Sequence, residues 1–370
     1  MKVAYVITLP DLGGAQSHVY ELMKNMRAMY QVIPVLVTGK QGWLTEQAQN
    51  LGIETHIIPD IVREISPTHD WKANKELQNL FCHIRPDLVH CHSSKAGILG
   101  RWAARQCGIP SVFTAHGWAF TDGVPETKRK IYRLIEKIAG KWCKKIICVS
   151  EYDKNLALRE IPQLKDKLVT VHNCIPDTAF QKNWKEFDDE KEMALEIVTV
   201  ARFSPQKKIL ETLNVVNNAV CQGIKLHLTF IGDGPLFAQA VSQTKKMGIE
   251  NYVTFLGART DVEKLLPNYD LFLLLSNWEG FPISIIEAMR AGLPVMASDV
   301  GGVREAVSDG RNGWLIPRDD HRVLNLLNQI AENPSYLKKM ALNARKHYEQ
   351  DFMIKNMTDQ IFSVYQSIIK

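Results

Sequence analysis

The chain lacks the marks of a stapled, fibrous or membrane-spanning protein. Its seven cysteines are odd in number and none forms Cys-x-x-Cys. That excludes a disulfide framework and leads us to expect reduced thiols in a cytosolic protein. No apolar stretch approaches the ~18 residues of a spanning helix. The N-terminal run in MKVAYVITLPDLGG is too short for a secretory leader and has no small-residue cleavage site. There is no short internal repeat and no Asp-x-Asp. Net charge is also small. Lys and Arg number 45 against 40 Asp and Glu, a formal +5 over 370 residues, too little to argue for nucleic acid. What remains is 45% hydrophobic and 23% charged, the balance of a soluble globular protein. At ~150 residues per domain the length suggests two domains, each able to bury a core without a metal or disulfide.

Short apolar runs punctuate both halves. In the first they are Val3–Thr8, Val32–Val37, His56–Ile58, Leu88–Cys91, Val112–Ala115 and Ile146–Val149. In the second they are Glu196–Ala201, Leu226–Ile231, Val253–Leu256, Leu271–Leu275, Pro294–Ala297 and Gly313–Ile316. Helical patterns lie between them, as at Val19, Leu22, Met23 and Met26, at Ile209–Val220 and at Val262–Leu266. Strands alternating with helices predict parallel sheets covered on both faces. The polar stretch Asp177–Glu192 lacks apolar periodicity and is the expected linker, and the chain from Asp320 to Lys370 reads as helical. Doubly wound sheets bind ligands at the carboxyl ends of their strands.

The most informative segment is Glu279-Gly280-Phe281-Pro282-Ile283-Ser284-Ile285-Ile286-Glu287. It follows a buried strand, and Pro282 suits a first helical turn because its missing N–H would have no partner there. Glu279 therefore sits just before a helix start and Glu287 roughly two turns inside it. The free N–H groups of residues 282–285 make an anion site. Carboxylates flanking such a site can accept hydrogen bonds from sugar hydroxyls on either side of a phosphate. Two solvated glutamates on a surface helix would be the ordinary reading, and the other segments decide between them. Arg202 ends a strand and Lys207 opens the next helix in VARFSPQKK. A planar fork and a point charge both suit phosphate.

These segments resemble the family-4 retaining glycosyltransferases of the GT-B fold. The resemblance covers essentially the whole chain with the motifs in order. It implies an α/β protein of GT-B architecture, two doubly wound Rossmann-like domains facing across a cleft. Residues 1–178, joined by a helix at about 350–370, would form the acceptor side, and residues 193–349 the nucleotide-sugar side. It assigns Glu279 to the donor sugar and Glu287 to the ribose. Gly280, Phe281, Pro282, Ile283 and Ser284 would present backbone to the diphosphate, and Arg202 and Lys207 would stabilise the leaving group. His116, in Thr114-Ala115-His116-Gly117-Trp118, would contact the sugar near the reacting carbon. The glycine turn Gly13–Gly14 would lie near the donor phosphates, with Gly232 after one strand and Arg259 near the nucleobase. Asp299 to Glu305 follows another strand, and the Ser93-Ser94-Lys95 loop would meet acceptor. One departure is Lys208, where the family usually has glycine after the Lys.

The resemblance further implies transfer of a sugar from a nucleotide sugar, expected to be UDP-hexose or UDP-N-acetylhexosamine, with GDP-mannose also open. The segments HSSKAG and TAHGWAF resemble bacterial members that build surface polysaccharides, which implies a glycan or polyprenyl-diphosphate-linked acceptor. No cofactor or metal is expected. Cys82, His83, His90, Cys91 and His92 match no structural-zinc spacing, and strand alternation puts His90 and His92 opposite Cys91. Cations and a helix start stand in for the ion that other glycosyltransferases bind through Asp-x-Asp. Alternatives are a nucleotide-sugar epimerase of the same fold and a non-catalytic sugar-nucleotide-binding partner. A Rossmann dehydrogenase is disfavoured because Leu12-Gly13-Gly14-Ala15 is not Gly-x-Gly-x-x-Gly.

The +5 is not spread evenly. Val124–Ile147 holds eight Lys or Arg and two Glu, a local +6 that leaves the rest at −1. Lys130, Arg133, Lys137, Lys141 and Lys144 fall on one helical stripe beside Ile131, Leu134, Ile135, Ile138 and Trp142. The apolar stripe is expected to pack on the first sheet. The basic stripe is a candidate contact for an anionic membrane or acceptor, consistent with a cytoplasmic protein peripheral on the inner membrane face.

Overall fold

The twelve apolar runs become twelve of the thirteen strands, in two parallel sheets, among the residues described by a computed structural model: 1–64, 66–121, 123–184, 194–317 and 321–369. The first sheet comprises β1 (Lys2–Val6), β2 (Ile33–Thr38), β3 (Glu54–Ile57), β4 (Leu88–His92), β5 (Ser111–Ala115), β6 (Lys145–Cys148) and β7 (Leu168–Thr170). Its order is β3-β2-β1-β4-β5-β6-β7. The second comprises β8 (Leu195–Val200), β9 (Leu226–Ile231), β10 (Val253–Phe255), β11 (Leu271–Leu274), β12 (Val295–Ser298) and β13 (Gly313–Ile316), in the order β10-β9-β8-β11-β12-β13. Strand order reverses beside β1 in one sheet and beside β8 in the other, and there the loops after adjacent strands diverge and leave a crevice. The short β7, at the sheet edge after a 3-10 turn at Pro162–Lys167, is not among the runs read from the sequence.

The chain divides into two compact units, Met1–Pro176 with Ile354–Lys370, and Asp177–Met353. The last segment thus belongs to the first unit, through the helix Ile354–Ile369. Met357, Ile361 and Tyr365 of that helix join Tyr5, Val19, Leu22 and Met23 in one apolar core. The second unit begins earlier than residue 193 because the expected linker is fastened to it. Trp184 is buried and its Nε1 donates to the Gly292 carbonyl at 2.6 Å. Arg345 donates to both oxygens of Asp177 at 2.7 and 2.6 Å. A lone indole amid polar residues gives no periodicity, yet burying it outweighs its surroundings. The rest of that stretch, 185–192, lies outside the described residues.

The basic segment differs from expectation in two ways. The helix runs only over Glu126–Ala139, so Lys141, Trp142 and Lys144 are not on it. Its apolar stripe also faces outward. Ile131, Leu134 and Ile138 are 55%, 59% and 45% exposed, while Glu136 and Ala139 are buried. The reason is an ion pair. Arg101 of the neighbouring helix Ser94–Gln106 is wholly buried. Its guanidinium lies 4.2 Å from the Phe113 ring centre and donates to Glu136 at 2.9 Å and to the Gly97 carbonyl at 2.6 Å. A buried Arg fixes which side of the facing helix turns inward, because an unpaired guanidinium there would cost several kcal/mol. Arg129 and Arg133 pair with Glu160 and Glu126, and Lys128, Lys130, Lys137, Lys141 and Lys144 are left exposed.

Candidate active site

In the second unit the loops after β8 and β11 meet at the switch point. The loop after β11 carries Ser276 to Phe281 into the helix Ile283–Arg290, whose N-cap is Pro282. Glu287 is the fifth helical residue, so it lies about one turn in rather than two. The loop after β8 carries Arg202, which is exposed, and a single 3-10 turn, Pro205–Lys207. Lys207 closes that turn rather than opening the helix Ile209–Cys221. Lys208 has φ 41°, the left-handed region where glycine carries no penalty, so a glycine suits that position. The turn forms nonetheless.

The two loops are laced together. Gln206 Nε2 donates to the Trp278 carbonyl at 2.8 Å, and Asn277 N donates to the Gln206 carbonyl at 2.8 Å. Asn277 Nδ2 reaches the Pro205 carbonyl at 2.9 Å. This scaffold brings Lys207 Nζ to 2.5 Å from Glu279 Oε1, which also accepts from Ser276 Oγ at 2.6 Å. Glu279 is only 7% exposed, so its carboxylate is fixed in orientation by a cation and a hydroxyl. Glu287 is partly exposed at the surface, and desolvation of its carboxyl raises its pKa.

Gly301, after β12, locks the Glu279 backbone from the other side. Its φ is 57°, and a Cβ there would lie 1.8 Å from the Glu279 carbonyl oxygen. Gly302 N donates to the Gly280 carbonyl at 2.9 Å. Gly301→Ala is therefore expected to displace the 279–281 backbone. The transfer that the resemblance implies should then fall at least tenfold with a nearly intact thermal midpoint for the first unit, measured by steady-state kinetics and calorimetry. Full activity in that variant would refute the lock.

The remaining second-unit positions share the same sheet edge without joining the Lys207–Glu279 pair. Gly232 follows β9 with φ 141°. Arg259 follows β10 and is held by Asp261 at 2.8 and 2.6 Å. Arg304 is paired with Asp299.

In the first unit Gly13 caps the helix Gly14–Tyr30 in the loop after β1. Beside it, Thr8 Oγ1 and Ser93 Oγ lie 2.8 Å apart. Lys95 is paired with Asp70. His116 follows β5 and does not stand alone. Its Nε2 is 3.1 Å from His92 Nδ1, and its ring is edge-on to His18 at 4.8 Å. His18 Nδ1 contacts Asn173 Oδ1 at 3.0 Å. Behind them His90 sits between Tyr365 and Thr114 at 2.6 and 2.7 Å. Burial pushes His18 down to about 4. Burial and then the neighbouring histidines hold His90, His92 and His116 well below the usual imidazole range.

The Cys82, His83, His90, Cys91 and His92 set is not assembled. Cys91 packs in the apolar core on the other face of β4, and Cys82 Sγ lies 4.0 Å from Cys107 Sγ. His92 instead joins His18 and His116, and one ligand nitrogen from each lies within 4.8 Å of the others. Sequence spacing misses this trio because its members come from three separate elements.

The fold and the two sheet-edge constellations are those of a glycosyltransferase, and the family models agree. The model described as Glycosyltransferase Family 4 matches residues 12–178, and that described as Glycosyl transferases group 1 matches residues 180–347. Together they account for nearly the whole chain, which belongs to the family-4 glycosyltransferases of the GT-B fold. Among curated relatives is the Escherichia coli UDP-Gal:alpha-D-GlcNAc-diphosphoundecaprenol alpha-1,3-galactosyltransferase. It is 29% identical over 100% of this chain and 97% of that protein. The Escherichia coli O-antigen biosynthesis glycosyltransferase WbnH is 25% identical over 100% of this chain and 99% of its own length. Among solved structures, Anabaena Alr3699/HepE in complex with UDP-glucose superposes with a TM-score of 0.83. It is 20% identical, and the match covers 100% of both chains. The chain is a glycosyltransferase of the kind used in bacterial surface-polysaccharide synthesis.

Proposed function

We propose that the chain moves a hexosyl or N-acetylhexosaminyl group from a UDP-sugar to a polyprenyl-diphosphate-linked glycan. Transfer retains the anomeric configuration and needs no divalent ion. The observation that carries this reading is the Lys207–Ser276–Glu279 constellation beside the start of the helix Ile283–Arg290. Glu279 orients the sugar, and Glu287 accepts from the ribose. Lys207, Arg202, the backbone from Gly280 to Ser284 and the helix N-terminus stabilise the diphosphate as it leaves. His116 contacts the sugar. Gly13, Gly14, Gly232 and Arg259 line the donor. The lipid-linked acceptor is supported by the substrate in the name of the 29% identical relative.

A thermal-shift panel tests the donor. UDP at about 100 times its Kd contributes about 2.7 kcal/mol, a rise of roughly 5–10 °C for a unit of this size. GDP should give little. No response to any nucleoside diphosphate would end the reading. Product formed from UDP-N-acetylglucosamine alone, as an epimer, would point to an epimerase.

The membrane contact we assign to the Glu126–Ala139 helix and the lysines after it. No described helix is long and apolar enough to cross a membrane. Here Ile131, Leu134 and Ile138 stand exposed among lysines, the composition of an interfacial helix. At about 1 kcal/mol per Lys near an anionic surface, neutralising Lys137, Lys141 and Lys144 should weaken binding to anionic vesicles roughly 100-fold. High salt should mimic part of that loss. Vesicle sedimentation showing equal binding would count against it.

A further inference from the structure

His18, His92 and His116 carry a chemistry that sugar transfer leaves unused. His18 lies within the helix Gly14–Tyr30, His92 ends β4 and His116 follows β5, all in the first unit. A carbonyl can only accept, so the 3.0 Å contact to Asn173 Oδ1 places the proton of His18 on Nδ1. Its Nε2 is then a bare lone pair, buried and without a hydrogen bond. His92 Nε2 is likewise buried without a partner. Two unsatisfied imidazole nitrogens in one buried cluster call for an explanation.

We propose that His18, His92 and His116 form an all-imidazole site for a transition ion of the Zn²⁺ class. Three neutral nitrogen donors and no carboxylate in the group suit Zn²⁺, Ni²⁺ or Cu²⁺ and not Mg²⁺ or Ca²⁺. Asn173 acts on His18 as an orienting partner behind a metal ligand does, by holding the tautomer. Burial keeps the rings neutral, the form that ligates. Zn–N bonds of about 2.0–2.1 Å with tetrahedral angles put ligand nitrogens about 3.4 Å apart. From separations within 4.8 Å the trio closes by ring rotation. His116 is only partly buried and is the ring that would turn, giving up its contact with His92. A fourth position then opens toward solvent for water.

The binding test uses the full chain without a polyhistidine tag, stripped of metal. Titration with Zn²⁺ against a chromophoric chelator should show one ion per chain with micromolar or tighter affinity. His18→Ala and His92→Ala should each weaken it at least tenfold. Co²⁺ on the unsubstituted protein needs no variant. It should give visible absorption of a four-coordinate nitrogen and oxygen set, without a thiolate charge-transfer band. No binding, unchanged binding in His18→Ala, or a thiolate band would overturn the site. A consequence for transfer rests on the role proposed for His116: Zn²⁺ should lower the rate at least tenfold and a chelator should restore it. If Zn²⁺ binds at these histidines and the rate holds, the role of His116 falls while the metal site stands.

Discussion

Replacing Lys207 with Ala should lower kcat about 10²–10³-fold, the cost typical of losing one preorganised group that stabilises developing charge. Two losses combine. On the proposed reading the diphosphate would leave without one of its two assigned cations, and Glu279, 7% exposed, loses the cation that fixes its Oε1 at 2.5 Å. Ser276 still donates to the same oxygen at 2.6 Å, so the carboxylate keeps one anchor and the loop should stay folded. Glu279→Gln separates the roles. It preserves shape and removes charge, so UDP affinity should change less than threefold while transfer from the UDP-sugar falls by about 10²-fold or more. Equal weakening of UDP and of the UDP-sugar would show that Glu279 does not read the sugar. Steady-state transfer kinetics with calorimetric UDP binding give both numbers.

Glu136→Ala should destabilise the first unit by about 3–5 kcal/mol, because it strands a fully buried guanidinium. Arg101 is 0% exposed, and Phe113 and the Gly97 carbonyl cannot replace a carboxylate. At roughly 2–4 °C per kcal/mol for a unit of this size, its transition should fall by about 6–20 °C. The second unit, with its own core, should melt unchanged. The double variant Arg101→Met with Glu136→Leu should recover most of the loss, since well-packed apolar residues often match or exceed a buried pair. Scanning calorimetry resolves the two transitions. A shift below about 1 kcal/mol in the single variant would mean that water reaches Arg101. The same substitution frees the helix to turn its apolar stripe inward, so it should also weaken binding to anionic vesicles.

That helix marks the limit of what the sequence discloses. Periodicity shows that Ile131, Leu134 and Ile138 share a face. It does not show which face meets the core. The deciding partner is Arg101, 35 residues from Glu136, and no local pattern announces such a pair. The strands were legible because those of a doubly covered parallel sheet are apolar throughout, and β7 alone of the described strands is not among the runs. Glu279, Pro282 and Glu287 were legible because one loop and one helix hold all three. The Lys207–Glu279 contact joins residues 72 apart, so the sequence suggests its members but not their meeting. His18, His92 and His116 were harder still. His116 stood out through its place at a strand end, whereas His18 looked like an ordinary residue on an apolar helix face.

The placement of Ile354–Lys370 in the first unit has a consequence during synthesis. The first unit's seven strands leave the ribosome before any part of the second, but the helix that covers Tyr5, Val19 and Leu22 comes last. Translation at about 5–20 residues per second takes roughly 10–35 s to cross the intervening Asp177–Met353. Throughout that interval the nascent first unit carries an open apolar groove and a His90 without its tyrosine, while the second unit can close as soon as it emerges. Domains usually complete in the order they are made. Here the second can finish before the first, and the open groove is where a chaperone or a neighbouring nascent chain would bind.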